Sequence, residues 1–374
     1  MIRSSLTMAA ALLAMGMPVR LHERVSAPES PIPFRHVKID PNNTGADCKA
    51  IGDLNGDGFP DVIVADDTTT PLQWYEYPHW NKRVIDNRIV FTTDMQTGDV
   101  DNDGDTDIIV PDYPKGVILW YRNPLREGGA WVPVTIGNAH GHDLEVGDIN
   151  RDKKLDVVVR EGETVVFLQR TPTDWTRIHI PTGGRGGTAL ADLDRDGDLD
   201  IAQNGCWLEC PANPSGEKWQ RHEIAPGWPE DSGVAATDMN RDGRMDVLLA
   251  PAESSGKLIW YAAPADPRRG IWQPHVISDD ISHAHTFKVA DMDNDGDLDV
   301  VTAEMEQSPR KRIRVHRNQG DALKWKEQIL AETGSHNIRV ADIGRDGDMD
   351  VIGANWGQRD DSYSPVELWE NRLR

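Results

Sequence analysis

Seven times along the chain, a nine-residue stretch that is polar at its odd positions gives way to a short β-branched run. The polar stretch reads D-x-[D/N]-x-D-G-x-x-D and its copies start at Asp53, Asp99, Asp148, Asp192, Asp238, Asp291 and Asp342. The runs behind them begin at Asp61, Asp107, Asp156, Asp200, Asp246, Asp299 and Asp350, and continue as Val-Ile-Val, Ile-Ile-Val, Val-Val-Val and close variants. A short continuous apolar run bounded by turn residues predicts a strand buried on both faces. The starts lie 46, 49, 44, 46, 53 and 51 residues apart, the period of a propeller blade.

Two further strands recur in each period. One carries an aromatic pair, as in Trp74-Tyr75, Trp120-Tyr121 and Trp260-Tyr261, with Trp369 in the last copy. The other opens at tryptophan: Trp80, Trp131, Trp175, Trp219, Trp272 and Trp325. Its seventh copy lies at the other end of the chain, in Phe34 to Ile39. The chain stops just after the third strand of its last blade, so the N-terminal segment must complete that blade. Pairing the two ends removes the open edges of a linear array. The expectation is an all-β fold, one seven-bladed β-propeller of four-stranded blades over residues 34–373.

Before the propeller, Arg3 precedes an apolar run from Leu6 to Met17 and a small-residue stretch ending at Ala27. This pattern predicts a secretory signal over residues 1–27, too short to span a bilayer, and hence a secreted or periplasmic protein. The formal net charge of −22 excludes nucleic acid and anionic membrane as partners, and no later stretch has membrane-spanning length. Three cysteines are too few for a disulfide scaffold. Cys206 and Cys210 are close enough in sequence to pair in an oxidising compartment.

The charge is concentrated: 28 of the 62 acidic residues fall in the seven loops. Oxygen ligands two residues apart on a tight turn suit a hard cation, and the glycine at the sixth position permits the turn. An EF-hand is excluded, because Val64 and Val110 stand where its glutamate is required. The expected cofactor is structural Ca2+ at several sites. The ligands are Asp53, Asn55, Asp57 and Asp61 in the first loop and Asp99, Asp101, Asp103 and Asp107 in the second. Asp192, Asp194, Asp196 and Asp200 serve the fourth, Asp238, Asn240, Asp242 and Asp246 the fifth, and Asp291, Asp293, Asp295 and Asp299 the sixth. The third loop, with Lys153 and Lys154, and the seventh, with Gly344 at its third ligand position, should hold metal weakly or not at all. These loops resemble the calcium-binding repeats of the FG-GAP/VCBS family, the integrin α-type propeller, over nearly all of residues 34–373. The aspartate half of that motif is matched and its Phe-Gly and Gly-Ala-Pro half is not evident. Members of such families serve in adhesion, in scaffolding and in carbohydrate enzymes.

Where a scaffold repeats, function is sought in what does not. Six residues before each first aspartate stand Asp47, Thr93, His142, Gly186, Ser232, His285 and His336. His140 and His283 precede two of these by two residues. Three residues before the aspartates, on the side facing the channel, are Gln96, Glu145, Lys288 and Arg339. Five histidines are thus expected to converge on the face opposite the aspartate loops. Acid–base chemistry, a transition-metal site built on the two H-x-H pairs, and plain loop histidines bonded to backbone all suit that pattern. Trp228, Trp356 and Tyr113 depart from the repeat on the same face, either as a platform for a sugar ring or as loop packing.

The seven-blade plan and the histidine face also resemble secreted propeller lyases and dehydratases acting on sugars. That resemblance implies β-elimination on a carbohydrate, such as one containing uronate. Lys288 and Arg339 would neutralise the carboxylate, His142, His285 or His336 would be the base, and Tyr113 or a second histidine the acid. Trp228, Trp356, His140, His283, Gln96 and Glu145 would bind the substrate. The rival expectation is a non-catalytic module whose same face grips a glycan or a protein partner.

Overall fold

The computed structural model describes residues 30–91, 93–126, 128–160, 162–355 and 364–374. Among these, the strands form seven antiparallel sheets of four. In blade one, Cys48–Gly52 lies innermost, followed outward by Asp61–Ala65, Leu72–Glu76 and Asn81–Asp86. The other blades repeat this order. The chain ends close the ring as the pattern requires: Phe34–Asp40 pairs antiparallel with Val366–Asn371, placing Phe34 opposite Asn371 and Val37 opposite Leu368. The joint is reinforced by side chains. The His36 ring stacks on Trp369 at 5.3 Å, and Arg35 Nε meets Glu370 at 2.5 Å. Just before the strand, Gln328 of blade six receives the Ile32 N–H and donates to the Ile32 carbonyl, both at 2.8 Å.

The core lies between blades, because both faces of each second strand are apolar. One cluster joins Ile63 and Ala65 of blade one to Ile108, Val110 and Tyr121 of blade two; another joins blades six and seven through Val301, Val315, Val351 and Trp369, with Ile32 added from the N-terminal segment. Seven such seams hold the ring, each fully buried Val, Leu or Ile side chain contributing about 1.5–3 kcal/mol.

The ninth-position aspartates show why the loop recurs even where ligands are missing. In every blade this residue is buried and accepts two backbone N–H groups, one from the start of its loop and one from the end of the third strand. Asp156 takes Ile149 N–H at 3.0 Å and Gln169 N–H at 2.8 Å; Asp350 takes Ile343 N–H at 3.1 Å and Asn371 N–H at 2.7 Å. Two backbone donors that no strand satisfies thus find an acceptor. The expected pairing of Cys206 with Cys210 is corrected. Both are buried free thiols, separated along the extended strand Cys206–Glu209 by about 13 Å at 3.3 Å per residue, beyond disulfide reach.

Candidate functional site

The lead-in segments meet on the face opposite the aspartate loops, and their sixth-back residues interlock. Asp47 Oδ2 accepts the Thr93 N–H at 3.1 Å, joining blades one and two. Gly186 bridges to Ser232 between blades four and five; its φ of +101° and the 2.4 Å separation between an added Cβ and Ser232 N admit only glycine. The histidines of blades three and six meet across the mouth. The His142 and His285 rings lie 5.0 Å apart, and His285 is 4.5 Å from His336 of blade seven. His336 Nδ1 contacts Asp47 Oδ1 at 2.5 Å, and His142 Nδ1 contacts Asp143 Oδ2 at 2.8 Å.

Charge in this layer is distributed by hydrogen bonding. Asn337 Nδ2 donates to Thr93 O at 2.6 Å and Asp47 Oδ1 at 3.2 Å, so its Oδ1 must accept. His285 Nδ1, 3.2 Å away, therefore carries a proton and its Nε2 is the bare nitrogen, as in a neutral ring. Burial, with His336 and His142 adding to it, lowers the His285 pKa to about 3. Burial opposes charge on His336 too, but Asp47 overrides it and raises His336. Asp47 in turn is held down at about 2 against burial by the His336 charge. Beneath them the buried Lys49 donates to the carbonyls of Ala46, Asp47 and Ala354, and burial brings it down to about 7.

Of the five histidines expected to converge, three do. His140 stands aside, exposed, edge-on to Tyr113 at 5.8 Å, above a groove of about 500 Å³ lined by Lys115, Asn138, Glu163 and Arg177. His283 is held by its own loop: its N–H donates to Ser254 O at 2.9 Å and its Nδ1 lies 3.0 Å from Ser282 Oγ. Trp228 is partly buried, donating to Ser232 Oγ at 2.6 Å and edge-on to Tyr261. Trp356 lies outside the described residues. Arg339, expected as a free cation, is instead bound to Asp94 and to the carbonyls of Ile338 and Met95. Gln96 donates to Leu144 O at 2.8 Å. Glu145 and Lys288 lie deeper, in the channel. Asp143 and Asn337 were missed in the sequence; Asn337 meets partners 290 and 244 residues away in the chain, which no local pattern reports. Among the described residues, the groups of three acidic, histidine or cysteine side chains close enough to share an ion are all aspartate groups, so the geometry gives no support to a transition metal on the histidines.

Those aspartate groups fall in three loops: Asp99, Asp101 and Asp107; Asp192, Asp194 and Asp200; Asp291, Asp293 and Asp295. They are the three loops complete in sequence. Buried carboxylate oxygens without a partner occur in each: Asp101 Oδ1, Asp192 Oδ1, Asp291 Oδ1, both oxygens of Asp293, and Asp295 Oδ2. Orphaned buried carboxylate oxygens are what a hard cation would satisfy. The residues therefore fit a cation, best in the sixth loop, where Arg317 comes no nearer to Asp293 than 3.8 Å. Arg122 lies 2.7 Å from Asp101 in the second loop, and Arg268 pairs with Asp194 in the fourth. In the third loop Lys154 Nζ takes Asp152 at 2.8 Å, as its sequence suggested.

The model of the FG-GAP-like repeat matches residues 53–110, 99–159, 238–302 and 291–353. No curated protein sequence matches the chain. Among solved structures, BBS1N in complex with ARL6DN, soaked with lead, is similar over 90% of this chain and 96% of that one, with 11% identity and a TM-score of 0.57. The mercury-soaked crystal of the same complex matches over 89% and 95%, at 12% identity and a TM-score of 0.53. At such identities the likeness is one of fold. These matches carry the repeat family and the propeller and do not extend to sugar lyases or dehydratases.

Proposed function

The chain belongs to the FG-GAP-like repeat family, and from that membership we propose that it is an exported, calcium-braced binding module whose histidine face receives a protein partner. The carrying observation is that the convergent histidines are engaged with one another and with carboxylates. His285 is 4% exposed and His336 8%, and the charge of His336 is matched by Asp47. Such a layer seals and stiffens the mouth more than it offers groups to a substrate. What it leaves outward is Tyr113, 37% exposed, His140 and the mixed-charge groove beside them, the composition of a recognition surface. BBS1N, solved together with ARL6DN, is a propeller of this outline docked to another protein, and that favours a protein here over a glycan.

Incubation with a panel of uronate polysaccharides should give no product by mass spectrometry. A partner purified on the wild-type protein should bind the Tyr113→Ala variant at least about tenfold more weakly, as loss of an aromatic anchor does. Binding of a polysaccharide without turnover would replace the protein partner with a glycan.

One observation favours a second reading, β-elimination. His142 is the most open of the three convergent rings, with 23% of its side chain exposed, and Asp143 fixes its Nδ1, the arrangement that orients an imidazole base. Products short of one water relative to hydrolysis, abolished by His142→Ala, would establish that reading and overturn the first.

The calcium expectation has its own test. Calcium should raise the unfolding midpoint of the wild type, and Asp293→Asn should remove one site's share, about 2.7 kcal/mol at a hundredfold excess over Kd. An equal calcium response in both proteins would show that the sixth loop holds no ion.

A further inference from the structure

Below the histidine layer the channel changes character. The third-back residues lie about 10 Å further in at 3.3 Å per residue, and there the ring is uneven. Blades seven, one and two close their side with Ala50, Gln96 and the Arg339–Asp94 pair. Blades three to six instead enclose a cavity of about 400 Å³ that runs down to Thr237 and Leu199, next to the aspartate loops. Its walls mix Ala189, Ala235, Leu190 and Phe287 with the polar Thr237, and carry Glu145 on blade three and Lys288 on blade six.

These two share one register on nearly opposite blades, yet they form no ion pair. Among the described residues neither side chain has a hydrogen-bond or salt-bridge partner; each senses the other only at longer range. Two facing, partly exposed groups of opposite charge type, each without such a partner, are left for a ligand to match. A simple anion there would meet Glu145, and a simple cation would meet Lys288. An anion would also have to pass the rim of aspartate loops. A molecule carrying both charges answers both side chains and crosses the rim with no net charge.

We propose that the channel binds a small zwitterion of the α-amino-acid type, entering from the aspartate-loop face, its carboxylate against Lys288 and its ammonium against Glu145. The apolar wall of Leu190, Leu199 and Phe287 takes its side chain. Burial holds Glu145 up at about 7, so an ammonium beside it draws off the proton this carboxyl retains near neutrality. Binding at pH 7 then releases protons. This site lies on the opposite side of the histidine layer from the recognition face and does not depend on it.

Titration calorimetry of the full chain with glycine, alanine and leucine, and with acetate and methylamine as single-charge controls, tests the proposal. At least one amino acid should bind, more tightly than either control, with a heat that varies with buffer ionisation enthalpy. Lys288→Met and Glu145→Gln should each weaken it about tenfold or more, the worth of one charge-assisted contact. Both variants should melt within a few degrees of the wild type, since neither side chain has a partner to lose. No binding by any of the three amino acids would overturn the proposal. So would acetate binding as tightly as they do, or a Lys288→Met protein that binds undiminished.

Discussion

Asp156→Ala should destabilise the propeller by about 2–6 kcal/mol. The side chain is buried, and its two oxygens accept the N–H groups of Ile149 and Gln169. Alanine leaves both donors in a dry seam between blades three and four, where Ile149 packs with Val158, Leu168 and Leu208. An unsatisfied buried donor costs about 1–3 kcal/mol, and a domain has only about 5–15 kcal/mol in hand. The third loop is the right place to measure it, because Lys154 already pairs with Asp152 and metal loss does not confuse the result. Asp156→Asn should fall between, since its amide keeps one acceptor and turns a donor toward the other N–H. Urea unfolding at fixed pH reads both variants. An Asp156→Ala midpoint equal to that of the wild type would mean that these carboxylates serve the cation alone.

Much of this was legible beforehand, for a definable reason. A blade is local: its four strands are consecutive, its period is fixed, and its loop chemistry repeats. The seven starts from Asp53 to Asp342 therefore gave blade number, and the displaced copy at Phe34 gave the closure later seen opposite Val366–Asn371. The three loops rich in aspartate are the ones that gather their carboxylates. The channel mouth was legible only as a set of registers. Counting back from each loop correctly brings His142, His285 and His336 to one layer, but register does not say which way a loop side chain turns. His140 and His283 share a register two residues further out, and they separate because Tyr113 holds one and Ser282 the other. Arg339 likewise reads as a free cation until the fold sets Asp94, 245 residues away in sequence, against it. Asp47 stood in the register row in plain view, yet its role depends on ring closure placing blade seven beside blade one.

That closure also sets the acid limb of stability, and His285→Gln should remove part of it. Folded His285 has its pKa lowered to about 3, against about 6.5 for the ring in an unfolded chain. Below 6.5 the unfolded chain takes up a proton that the folded one refuses, so the unfolded state is favoured as pH falls. This contribution to stability is complete above 6.5 and declines toward 3. At 1.36 kcal/mol per unit, about 2 kcal/mol is gone by pH 5 and about 5 kcal/mol by pH 3. His336 runs the other way. Its raised pKa gives stability that is present below 6.5 and lost as pH rises through the folded value. His316 is also buried and lowered to about 3, but it is common to both proteins and cancels in the difference. Glutamine suits the site because its amide can still donate to Asn337 Oδ1, as His285 Nδ1 does. Unfolding free energies of wild type and His285→Gln between pH 4.5 and 7.5 should therefore converge or cross on the acid side, the variant losing less. Parallel curves would mean that His285 titrates normally in the folded protein, and so that the mouth is open to water rather than sealed by its own histidines.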